Sequence, residues 1–251
     1  MIKQALEYIV GLKGGQTTVE EKGRKYLFDK DGKLQYEFLN NYQSGMKTST
    51  LSSIVDYFTG DPDKVFDQDK KYIIQIIDPT KVFVQSAVSD EMRRDALLDV
   101  QAFTPAAFVY DRYMDLEIFN IQLQSRFEYT EDREKLLALT ANVVDETVKS
   151  YGDNGVSQSA TVKSGVTTKA EVVVPNPVIL KPFRTFSEAE QPESKFVFRL
   201  HKDDDGVTAA LIEADGGAWK AQAMKNIAAY LHSGLISALT DEQMKRITIL
   251  S

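Results

Sequence analysis

Residues 213–219 read EADGGAW. The run leaves a strand-like pattern, VTAALIEAD, passes Asp215, Gly216 and Gly217, and enters the amphipathic pattern AWKAQAMKNIAAYLHSGL. Amides at a helix N-terminus attract anions, and paired glycines let a ligand approach the backbone. Trp219, the chain's only tryptophan, stands just inside. The competing reading is a plain turn: Asp215 screens the helix dipole and Trp219 packs under the sheet. A second candidate is Phe183-Arg184-Thr185-Phe186, within VVVPNPVILKPFRTFSEAEQPES (172–194). An arginine between aromatics can stack on a base or bind a carboxylate. Alternatively, Arg184 pairs with Glu188 or Glu190 while both phenylalanines are buried. Arg199, in KFVFRL, poses the same choice.

Other motifs carry less. The turns DKDG, GDNG and DDDG suggest calcium, but an EF-hand loop needs its glycine sixth and a glutamate twelfth. None of the three meets both conditions, and hairpin turns explain them. The two histidines, His201 and His232, have no GxSxG serine to serve and no HExxH context. GLKGGQT lacks the Lys-Ser/Thr ending of a phosphate loop. With no cysteine in the chain, disulfides, thiolate metal sites and thiol nucleophiles are excluded. The expectation is therefore no metal, no cofactor and no catalytic residue set. An enzyme working with carboxylates alone stays open, because 37 acids always offer some pair.

A net charge of −7 disfavours binding along a phosphate backbone, so a nucleic-acid partner is not expected. No apolar run reaches membrane-spanning length, so no membrane partner is expected. The start, MIKQALEYIVGLKGGQ, reads as an amphipathic helix with Ile2, Leu6, Ile9 and Val10 on one face rather than as a signal peptide.

The elements that must position these residues follow from periodicity. Alternation predicts strands at Lys25–Phe28 and Leu34–Phe38 around Asp31-Gly32, at YIIQIID and KVFVQSAV around Asp78-Pro79-Thr80, and from Ala96 onward. Asn40–Lys47 reads as a loop. A short helix follows in TSTLSSIVDYFTGD, capped by Thr48, Ser49 or Thr50 and ended by Gly60. Asp115 and Thr130 are N-cap candidates for LEIFNIQLQSRF and EDREKLLALTANVVDE. Hairpins are expected in 146–165 and across HKDDDG, then the helix after Gly217 and a last strand, RITIL. Without regular βαβ alternation, the fold class is α+β with mainly antiparallel sheets. One unit over 1–251 is expected, with a subdivision near 105–112. The proline-rich stretch reads as a stiff ordered crossing that runs extended along a sheet edge or over a surface, because proline cannot pair in a central strand.

The strings LQSRFEYTEDREKLL, YGDNGVSQSATVKSG, VPNPVILKPFRTFSEAEQPESKFVFRL and LIEADGGAW carry a resemblance. Over about residues 120–235 the chain resembles uncharacterised proteins of bacteriophages and prophages, especially of Gram-positive hosts. A more distant likeness is to a phage domain of unknown function. The resemblance implies an origin, namely a cytoplasmic phage-encoded protein in an infected or lysogenic host. It assigns no chemistry. The function expected is a non-enzymatic binding protein, homo-oligomeric, with a host or phage protein partner. It would be an accessory of phage DNA metabolism or an inhibitor of a host defence pathway. A virion or shell component is the alternative, beside the carboxylate-dependent enzyme.

Overall fold

The computed structural model describes residues 17–21, 24–28, 33–36, 45–89, 93–149, 159–163, 169–203 and 206–251. The chain divides into a unit of Met1–Gln43 and a unit of Ser44–Ser251. In the first, β1 (Thr17–Glu21), β2 (Arg24–Phe28) and β3 (Leu34–Tyr36) form an antiparallel sheet. The strands read from alternation are β2 and β3; β1 pairs fully along β2 although its sequence, TTVEE, does not alternate. The expected helix at the start and the turn at Asp31-Gly32 lie outside the described residues.

The second unit opens with β4 (Met46–Thr48), so Met46 and Lys47, read as loop, belong to a strand. The residues are too few to carry a period. Their conformation comes from parallel pairing with β7 (Ala96–Gln101). Helix α1 (Ser52–Gly60) starts without a side-chain cap, its N-cap position being Leu51. None of the three expected hydroxyls caps it; Ser53 donates back to the Thr50 carbonyl and meets Thr48. The helix closes at Asp61, whose φ of 42° is left-handed, rather than at Gly60. β5 (Tyr72–Asp78) and β6 (Lys81–Ser86) form the expected hairpin, with the Asp78 carboxylate accepting from Thr80.

α2 (Leu116–Arg126) follows β8 (Met114–Asp115), and α3 (Glu131–Asn142) follows in turn. Asp115 and Thr130 cap them as expected. α3 stops at Asn142, earlier than the acidic pattern suggested, because Val143 begins β9 (Val143–Lys149). β9, β10 (Ser159–Lys163) and β11 (Lys169–Val173) form an antiparallel sheet.

β12 (Val178–Leu180), β13 (Ser194–Asp203) and β14 (Gly206–Glu213) pair in order with β8. Their apolar face meets α2 and α3 over Phe119, Leu123, Leu136, Phe196 and Phe198. β12 lies at the edge. Its Ile179 amide donates to Asp132 at 2.9 Å, and its carbonyl accepts from Thr130. The open edge is thereby engaged by the first turn of α3.

α4 (Ala218–Ala238), a short α5 (Asp241–Met244) and β15 (Ile247–Leu250) complete the chain. β15 adds in parallel to β5, giving a sheet ordered β15-β5-β6-β7-β4. α1 and α4 cover its inner face, burying Ile54, Phe58, Ile74, Val84, Ile227 and Leu231. They approach so closely that a Cβ on Gly234 would lie 2.9 Å from Val55 Cγ2. The described residues of the chain are thus an α+β structure with mostly antiparallel sheets.

Segment 172–194 links the two hydrophobic clusters. Val174, Val178 and Leu180 belong to one, Phe186 and Ala189 to the other. Segment 105–112 carries Phe108 into the same cluster as Val174, Val178 and Leu180, with Tyr110 packed against it. No described helix is long and apolar enough to cross a membrane. Among the described residues, no group of three or more His, Cys, Asp or Glu is placed to hold a metal ion.

Candidate functional site

The loop after β12 is shaped by one buried amide. Gln191 is 2 % exposed. Its Oε1 accepts from the amides of Arg184 (2.9 Å) and Thr185 (3.2 Å), and its Nε2 donates to the Phe186 carbonyl at 3.0 Å. Nε2 also reaches the Ala189 carbonyl at 3.4 Å, and a side chain that closes four groups of one loop substitutes for regular secondary structure there. The closed loop turns Arg184 toward the β13–β14 hairpin.

Arg184 is ion-paired, but with neither expected acid. Its guanidinium donates to Glu213 and to Ser194 Oγ. Glu188 instead accepts from the Ser52 amide, and Glu190 pairs with Lys181 at 3.3 Å. The reason is register. Glu213 sits opposite Phe196 on the hairpin, so the last residue of β14 faces the strand that begins at Ser194. Local spacing could not reveal a partner 29 residues away.

Around this ion pair stands an aromatic cage. The guanidinium carbon lies 4.0 Å from the Trp219 ring centroid, 5.7 Å from Phe196 and 5.8 Å from Tyr110. Tyr110 stacks on Phe196 at 5.4 Å and 13°. It is carried there by the backbone bond from Asp111 to the Leu211 carbonyl. Phe186 is buried as expected, whereas Phe183 is only half-buried. The two sequence candidates, Arg184 and EADGGAW, therefore meet in space. Trp219 is half-buried against Arg184 rather than packed under the sheet. Arg199 is not brought to them: it lies opposite Ala210, five residues and about 16 Å along β13 from Ser194.

Burial pushes the Tyr110 hydroxyl up to about 12; Arg184 opposes this, and Glu213 and Asp215 add to it. The folded protein holds this phenol neutral where the unfolded chain, near 10, ionises. Its stabilising contribution is complete below pH 10 and is lost as pH rises from 10 toward 12. The loss expected is about 2 kcal/mol. Urea titrations at pH 9 and at about pH 12 measure it. Tyr110→Phe should lose less stability than the native chain, and equal losses would remove Tyr110 as the cause.

The turn before α4 does not present an open anion site. Gly216 and Gly217 take φ of 62° and 80°, a region glycine enters without strain. The Gly217 amide donates to Asp215 Oδ1 at 2.9 Å, and the Ala218 amide to the Asp215 carbonyl at 3.2 Å. The Asp215 carboxylate stands where an anion would bind.

Beside the cage lies a cleft of about 690 Å³. Trp219 and Ala218 of α4, Asp215 of the turn, and Glu193, Ser194 and Lys195 at the start of β13 line it. That volume suits a small ligand or a few side chains of a partner. Gln191, Ser194, Tyr110 and Glu213 were not singled out in the sequence. The only hint was Glu213 preceding the Asp215 turn. No family model, no curated protein and no solved structure matches this chain.

Proposed function

We propose that this chain is a non-enzymatic binding protein encoded by a bacteriophage, and that it takes its partner in the cleft beside Trp219. One observation carries the reading. Two of the residues singled out for chemistry, Asp215 and Trp219, line one cleft, and a third, Arg184, holds the indole wall at 4.0 Å from behind the lining. A wall fixed in this way presents area to a ligand with little further loss of side-chain freedom. The resemblance over about residues 120–235 supports the phage origin. The partner is a host or phage protein met in the cytoplasm of the infected cell, and the chain acts as an oligomer. It serves phage DNA metabolism or blocks a host defence pathway.

The test is capture of a bacterial protein by the native chain, compared with Trp219→Ala and Gln222→Arg. Gln222 lines the cleft and is exposed, so the longer arginine obstructs the cleft without entering the core. Both variants should weaken capture by about tenfold or more while circular dichroism stays native. Undiminished capture by folded Gln222→Arg would remove the cleft from the function.

A further inference from the structure

We infer that the cleft takes cationic side chains from an extended basic segment of a partner protein; this rests on the cleft being the ligand site. The inference follows from which hydrogen-bonding groups the chain has already engaged. Gln191 donates to the Phe186 and Ala189 carbonyls. Asn226 Nδ2 donates to the Glu190 carbonyl at 2.8 Å, and Gln222 Nε2 to Asn226 Oδ1 at 2.8 Å. Each amide lining the cleft is thus oriented by its own donor. Acceptors remain. Among the described residues nothing donates to Asp215 Oδ2, which is shielded from solvent. The carboxylates of Glu190 and Glu193 share a single lysine, Lys181, at 3.3 and 3.7 Å, and are 72 % and 62 % exposed. With Gln222 Oε1 the two glutamate carboxylates form a wall that accepts more than it donates, and Asp215, its Oδ2 shielded, contributes charge there rather than an open acceptor.

Charge points the same way. Three acids line the cleft, Glu190, Glu193 and Asp215, against one base, Lys195. Arg184 adds no free cation, being engaged with Glu213 and 10 % exposed. A phosphate or carboxylate ligand would meet repulsion. Lysine and arginine heads bring several N–H donors and no acceptor. Their aliphatic stems can lie along the part of Trp219 that faces the cleft, while the charged heads reach past the indole, which already carries Arg184 at 4.0 Å and Lys220 at 5.9 Å, to Glu190 and Glu193. The chain's net charge of −7 steers such a segment inward.

The experiment follows Trp219 emission, which is unambiguous because the chain has one tryptophan. The probes are a short peptide of alternating lysine and arginine, its neutral counterpart of acetyl-lysine and citrulline, and a neutral oligosaccharide. The basic peptide should give a saturable change and bind at least about tenfold more tightly than the neutral one. Asp215→Asn, which keeps an oxygen for Gly217, and Glu193→Gln should each weaken it about tenfold. Asp241→Asn and Glu242→Gln, which remove the same charge outside the cleft, should change it less than about twofold. Equal binding of the neutral peptide or the oligosaccharide would overturn the cationic class. So would equal losses in the α5 controls, which would mean unspecific attraction to an acidic chain. If Gln222→Arg abolishes partner capture but the basic peptide does not bind, the charge class alone fails. If Gln222→Arg leaves capture intact and no probe moves the emission, the cleft reading fails with it.

Discussion

Arg184→Ala is expected to destabilise the protein by about 3 kcal/mol, seen as a lower urea midpoint at unchanged slope. Stacking on Trp219 at 4.0 Å contributes about 0.5–2 kcal/mol of this. The ion pair supplies the rest. A buried pair broken on one side costs about 3–5 kcal/mol, but Glu213 is 37 % exposed and regains water, so the lower end applies. Ser194, 3 % exposed, loses the donor to its hydroxyl oxygen. Arg184→Lys separates charge from shape. It keeps the cation but not the planar fork that reaches Glu213 and Ser194 together, so about 1–2 kcal/mol should be lost. A loss below about 0.5 kcal/mol for Arg184→Ala would show that the cage does not hold the loop to the hairpin. The same variant informs on binding. If Arg184 only fixes the indole, ligand affinity should fall through a mobile Trp219, and Arg184→Lys should recover part of it.

What could be read from the sequence was local. The β5–β6 and β13–β14 hairpins and the caps at Asp115 and Thr130 arise from residues within one turn of each other, and these agree with the structure. Of the two parallel edge strands, β15 was legible in RITIL and β4 was not. β4 has three residues and no period, and only β7, some fifty positions on, makes it a strand. The junction at Asn142–Val143 misleads for a related reason. TANVVDE suits a helix end by composition, yet two β-branched valines favour extension once β10 is there to pair. At the site, Trp219, Arg184 and the glycine turn stood out by type. Their convergence did not, since it depends on Gln191 closing a loop and on hairpin register bringing Glu213 to Ser194. Arg199 looked equivalent to Arg184 because both follow a phenylalanine. Position along β13 separates them, which a pattern of alternation cannot express.

Phe196→Ala should be the most damaging single change near the site, at about 3–5 kcal/mol. The ring is fully buried near the start of β13, stacked on Tyr110 and edge-on to Phe127 at 6.3 Å and 74°. Truncation removes the apolar burial of the ring and leaves a cavity walled by two other rings, which cannot collapse without moving β13. Phe196→Leu keeps most of the volume and should cost about 1.5 kcal/mol or less. Coupling makes the test specific to this arrangement. The Arg184 guanidinium lies 5.7 Å from the Phe196 ring, and both contact Tyr110. Removing either loosens the support of the other. The double variant should therefore lose about 1 kcal/mol less than the sum of the single losses. Ile74→Ala, in the other hydrophobic cluster, supplies the control and should add to Phe196→Ala within about 0.5 kcal/mol. Full additivity of Phe196→Ala with Arg184→Ala would mean that core and cleft wall are energetically separate. A coupling near 1 kcal/mol would place Phe196 as the residue through which the hydrophobic core fixes the position of the indole that lines the cleft.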